Sequence, residues 1–167
     1  MKSLRLNEFG FTLVELLVAV GVLGILATLG TSGFQSLIQS QQAKNASFEL
    51  FSSLSLARSE AIKRNNPVTL TPTDSSNWGK GWTITHTDVA TSAITIIKSQ
   101  SELKKLAISI PQNPTSVTYA KNGRIMFPTS PPVFSLDVST PLTANPRCIT
   151  IELSGMPRVK KPINETC

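Results

Sequence analysis

The chain has 167 residues, 40% hydrophobic, 16% charged and 6% aromatic, with a net charge of +6. That apolar fraction and low charge exclude a disordered chain, and two Cys with one His exclude a disulfide-dense miniprotein or a Cys/His zinc module. Only one stretch is long and apolar enough to span a bilayer, which excludes a polytopic membrane protein.

A short polar leader, residues 1–10, carries Lys2, Arg5 and Glu8. Behind it, Glu15 is the sole ionisable residue until Lys44. Residues 11–34, as a helix at about 1.5 Å per residue, extend roughly 36 Å, beyond a hydrocarbon core of about 30 Å. The segment is therefore expected to cross a membrane once. Basic residues ahead of it favour a cytoplasmic leader and export of the C-terminal part. An ordinary secretory signal places its apolar region before the cleavage site and loses it. Here the polar leader comes first, and cleavage behind it keeps the helix.

The junction Gly10-Phe11-Thr12-Leu13-Val14-Glu15 resembles the processing site of type IV prepilins and pseudopilins. The resemblance implies cleavage after Gly10 by a prepilin peptidase and N-methylation of Phe11. A carboxylate inside a spanning helix costs roughly 2.5–3.5 kcal/mol on insertion scales unless it finds a partner. Placement at a helix N-terminus, where the macrodipole favours negative charge, offsets part of that. In pilin-like proteins the partner is the N-terminal amine of a neighbouring subunit, so the resemblance assigns Glu15 to assembly. Gly21, Gly24, Gly30 and Gly33 each lower helix propensity by about 1 kcal/mol relative to Ala. They read equally as ordinary transmembrane glycines, as close-packing positions or as sites of local melting.

Residues 35–66 continue the helix outside the membrane. Phe48, Phe51, Leu54, Ala57 and Ala61 recur at helical spacing, with Leu50 and Ile62 widening the stripe and Ser47 among the residues facing solvent. Arg64-Asn65-Asn66-Pro67 supplies a C-terminal stop. All 11 prolines fall from Pro67 onward. There short β-rich runs alternate with Pro, Gly, Asn and Ser clusters. Nine strands are expected, over 68–71, 82–87, 93–98, 106–110, 117–120, 124–127, 133–138, 148–153 and 158–160. Trp82, Ile84 and His86 alternate with Thr83, Thr85 and Thr87, as a half-buried strand requires. The predicted class is α+β, a long N-terminal helix packed on a C-terminal antiparallel β domain over residues 67–167.

Ala57-Arg58-Ser59-Glu60-Ala61-Ile62-Lys63-Arg64-Asn65 with Val68, and Trp78-Gly79-Lys80-Gly81-Trp82, resemble segments of the GspH/FimT family of minor pilins and pseudopilins. The resemblance implies a pilin-like fold with a two-sheet β head and assembly with other pilins or pseudopilins at the bacterial inner membrane, with the head periplasmic. It implies a type IV pilus subunit, with a type II secretion pseudopilin and a DNA-binding pilin of natural transformation as alternatives. Cys148 and Cys167 lie in the exported part, where an oxidising compartment favours a disulfide. Arg147, Arg158, Lys160 and Lys161 stand against Glu152 in the same region. They read either as a solvated cationic face or as a contact for DNA phosphate. Some FimT-like proteins bind DNA through Gly-Arg-x-Arg. The matching stretch here is Gly155-Met156-Pro157-Arg158, with Met156 in place of the first Arg.

No enzymatic chemistry is expected. His86 is the single His, so a histidine metal site is a poor candidate, and a Ser/His/Asp triad would have to use it, with no Gly-x-Ser-x-Gly nucleophile elbow in the chain. Gly79-Lys80-Gly81 is a turn between tryptophans rather than a phosphate loop. Trp78 and Trp82 read as packing residues, and no cofactor is expected.

Overall fold

Thr12 opens the first element. Its hydroxyl accepts the Glu15 N–H at 3.3 Å, and its carbonyl accepts the Leu16 N–H at 3.2 Å. Thr12 is thus the N-cap and Glu15 the third helical residue, the spacing of a capping box. The helix α1 runs Leu13–Arg64. It ends where the basic residues, Asn65 and Pro67 predict. Asn65 takes a positive φ of 53°. Its N–H returns to the Ile62 carbonyl at 3.2 Å, and the Asn66 N–H to the Ala61 carbonyl at 3.3 Å. This is a Schellman closure with Asn in the left-handed position. In the last turn Glu60 pairs with Arg64 at 2.7 Å and with Lys63 at 3.6 Å.

The computed structural model describes residues 11–74, 77–88, 90–103, 106–109, 115–126, 132–138, 147–161 and 167, with the side chains of 27–36, 106, 107, 109, 137 and 138 outside that set. The chain divides into two compact units, residues 1–37 and 38–167. Among the described residues no helix is long and apolar enough to cross a membrane. Part of the expected 11–34 span lies outside the described side chains.

In the second unit, each of the nine predicted strand regions holds a strand. They are β1 (Val68–Asp74), β2 (Asn77–Thr87), β3 (Ile94–Gln100), β4 (Leu106–Ser109), β5 (Val117–Tyr119), β6 (Ile125–Met126), β7 (Val133–Val138), β8 (Arg147–Ile151) and β9 (Pro157–Lys160). Ile110 and Phe127, expected in the fourth and sixth strands, lie outside the described residues. One sheet has the order β3-β2-β1-β5-β6 and the other β4-β7-β8-β9. All the pairings are antiparallel. Trp78 of β2 meets Phe134 of β7 edge to face, ring centroids 5.2 Å apart, and so ties one sheet to the other. Both tryptophans are fully buried.

The helix face that closes the core matches the expected stripe at Leu50, Leu54, Ala57 and Ala61 and departs from it at Phe48 and Ile62. Ala43, Ala46, Ser47, Leu50, Ser53, Leu54, Ala57 and Ala61 are buried, whereas Phe48 is 54% exposed and Ile62 48%. Ser47, expected in solvent, is inside, with its hydroxyl donating to the Lys44 carbonyl at 2.7 Å. The buried stripe is mostly alanine and serine. Such short side chains leave the bulk of the filling to Trp82, Ile84, Leu70 and Tyr119 from the sheet. Of the two Phe side chains, Phe51 packs against the core and Phe48 lies beside it in the open.

Two hairpin turns share one geometry. In the β5–β6 turn the Gly123 N–H donates to the Ala120 carbonyl and the Ala120 N–H to the Arg124 carbonyl, both at 2.8 Å. In the β8–β9 turn Gly155 donates to Glu152 at 2.8 Å and Glu152 to Met156 at 3.0 Å. Gly123 and Gly155 take φ of +73° and +83°, the type I turn with glycine bulge of a three-residue hairpin loop. The turns touch. A Cβ on Gly155 would lie 2.0 Å from the Gly123 carbonyl oxygen. That oxygen also accepts the Arg58 Nε–H from α1 at 3.1 Å.

Gly155→Ala therefore meets both a positive φ and a fixed backbone oxygen. Its cost is expected to be at least about 2 kcal/mol, read as a lowered denaturation midpoint, with wild-type stability contradicting the contact. A second test uses Tyr119, the one tyrosine of the chain. Burial pushes its phenol pKa up, and its hydroxyl has no hydrogen-bond partner among the described residues. The unfolded chain ionises near pH 10 while the folded one stays protonated, so this contribution is complete below that pH and is lost as pH rises. Phenolate absorbance should then appear only as the β domain unfolds. Tyr119→Phe should remove that part of the alkaline sensitivity without loss of stability at neutral pH.

Candidate assembly site

The first turns of α1 carry the residues expected to act. Phe11 is 81% exposed, and Glu15 is exposed beside the capped helix N-terminus. Gly10 lies outside the described residues. The macrodipole and the nearby N–H groups favour a carboxylate at the Glu15 position, and no ion pair to it forms among the described residues. Thr12, the hydroxyl that holds this turn, was not singled out by sequence. Its signal is the Thr-x-x-Glu spacing. From Leu13 to Leu26 the helix exposes apolar side chains all round: Leu13, Leu17, Val20, Leu23 and Ile25 are each more than half exposed. A helix of this kind is suited to lipid or to other helices. At Gly21 and Gly24 a Cβ would meet open space, so neither glycine is required by a contact within the chain.

At the other end of the chain Cys148 and Cys167 form a disulfide with Cα atoms 5.5 Å apart. Closing a loop of 19 positions contributes roughly 3 kcal/mol on the chain-entropy account. Cys148 is buried, and the bond fastens the last residue to β8.

The four candidate cations do not form one surface. Arg147 pairs with Leu136, and Phe134 with Ile149, which puts Arg147 on the core face of the sheet. Its Nε is buried and has no hydrogen-bond partner among the described residues. Arg158 and Lys160 pair with Thr150 and Cys148, on the opposite face. Lys161 follows the strand and is exposed. Arg158 is held by Glu152 of its own hairpin in a salt bridge. A phosphate approaching this region thus meets Lys160 and Lys161 as point charges with no ion pair among the described residues, without a paired guanidinium fork. The side-chain period of two along β8 and β9 decides this separation. His86 sits on the core face of β2 opposite Val68 and is buried, a packing residue of the strand.

Comparison with known proteins agrees with this geometry. Residues 46–155 match the family model of the type II transport protein GspH, and residues 5–31 match the prokaryotic N-terminal methylation motif. No curated protein matches the chain by sequence. Among solved structures the chain is similar to the type IV minor pilin FimU of Pseudomonas aeruginosa, at 22% identity and a TM-score of 0.60, over 71% of this chain and 96% of that one. A second FimU structure gives 20% identity and a TM-score of 0.58, over 77% and 91%. The minor pseudopilin EpsH of the type 2 secretion system of Vibrio cholerae gives 14% identity and a TM-score of 0.56, over 72% and 98%. The fold is pilin-like, and the chain belongs to the GspH family of minor pilins and pseudopilins.

Proposed function

We propose that the chain is a minor subunit of a type IV pilus. Residues 1–10 are removed after Gly10, Phe11 becomes the methylated N-terminus, and residues 11–34 hold the subunit in the inner membrane with its β domain in the periplasm. Glu15 then pairs with the terminal amine of a neighbouring subunit and sets its register in the filament. The observation that carries this reading is the junction itself. A Gly-Phe pair and a Glu at the third helical position stand ahead of a helix that offers apolar side chains on every side. The methylation-motif match covers the same residues. The likeness to FimU supports the pilus reading.

A second reading, a type II secretion pseudopilin, is supported by the family description and by the likeness to EpsH. Both readings give Glu15 the same work. Glu15→Ala should still insert and be cleaved, because neither step uses the carboxylate, yet fail to enter filaments. Sheared filaments probed for the chain, alongside a membrane fraction probed for its processed form, read the two steps separately. Normal incorporation of the variant contradicts the role of Glu15.

A further inference from the structure

The contact between the two glycine turns brings together three segments that are distant in sequence. Arg58 and Ile62 come from the last turns of α1. Lys121 and Arg124 flank Gly123, and Leu153 and Met156 flank Gly155. Their adjacency follows from distances. A Cβ on Gly123 would lie 2.6 Å from Ile62 Cδ1 and 3.4 Å from Arg58 Cγ, and one on Gly155 would lie 3.2 Å from Arg124 Cα. The middle of this surface is apolar and open: Ile62 is 48% exposed, Leu153 63% and Met156 48%. Its margin is cationic, and Lys121 and Arg124 are exposed without an ion pair among the described residues. Glu152 and Glu60, the nearby acids, are already paired with Arg158 and with Arg64 and Lys63.

We infer that the paired glycine turns form a docking surface for a neighbouring pilin-type subunit, which presents an acidic segment around one or two apolar side chains. This rests on the assembly reading above. An apolar centre with a charged margin, built from Met, Arg and aliphatic side chains, is the anatomy of a protein interface. A nucleic-acid surface carries cations throughout, and single-stranded binding adds aromatic platforms; no described side chain here is aromatic. A second copy presenting the same surface is repelled by its own cations, so the partner surface is a different, acidic one. The backbone bonds within each turn and the Arg58 bond to the Gly123 carbonyl fix the surface before binding, which lowers the ordering cost.

The test uses the full chain in its own membrane, with a photo-crosslinking side chain in place of Leu153 and, as a control, in place of the exposed Thr71 on the other sheet. Mass spectrometry of the adduct should identify a pilin-type subunit joined through a peptide rich in Asp or Glu. The Lys121→Glu and Arg124→Glu pair should cut that adduct about tenfold, and Lys in place of the partner's acids should restore it. Both lysine and arginine are exposed, and an unchanged thermal melt checks that the variant is folded. An adduct with nucleic acid, an equal adduct from Thr71, or no adduct overturns the inference. Presence of the chain in sheared filaments is scored in the same cells. Incorporation without the adduct defeats the docking surface alone, and absence from filaments defeats the assembly reading as well.

Discussion

The burial of one face of α1 in the core it shares with the strands is the constraint on which the β domain depends. Ala43, Ala46, Ser47, Ser53, Ala57 and Ala61 fill most of that face with side chains of one or two heavy atoms, beside the larger Gln39, Leu50 and Leu54. Tyr119, Trp82, Ile84 and Leu70 of the five-stranded sheet supply the bulk of the same core. The last turns of α1 come close enough for Arg58 to grasp the Gly123 carbonyl. Larger residues on the buried helix face would overpack this core. Interiors packed at crystal-like density tolerate such overpacking poorly.

The same helix answers a different demand in its first half. There the exposed apolar residues point in all directions rather than along one stripe. One continuous element thus carries two patterns: a one-sided buried stripe in the second unit, and an all-round apolar surface over residues 13–26, suited to lipid or other helices. Glu15 stands at the start of the all-round segment, in a turn closed by Thr12. The cap and the macrodipole offset part of the cost of the charge, and in the proposed function a partner amine offsets the rest.

Much of this was legible in the residues. The prolines and the alternation of Trp82, Ile84 and His86 marked strands because turn chemistry and period-two burial are local properties. Asn65 ahead of Pro67 marked the helix end for the same reason. Most of the expected helix stripe holds, with Leu50, Leu54, Ala57 and Ala61 buried and Phe51 packed against the core, whereas Phe48 and Ile62 are exposed because the small residues Ala43, Ala46, Ser47 and Ser53 complete the buried face in their place. The grouping of Arg147 with Arg158 failed because adjacency along the chain says nothing about face, and the strand register sends them to opposite sides. The contact of Gly155 on Gly123 joins turns on different sheets, and no local pattern announces it.

The family assignment and the capped, apolar N-terminal helix converge on a subunit that becomes functional only once its leader is gone. Mass determination of the N-terminal peptide, taken from the chain recovered in filaments, tests this most directly. The account predicts a peptide beginning at N-methylated Phe11. A filament-borne chain that still begins at Met1, or whose first residue is anything other than Phe11, contradicts it.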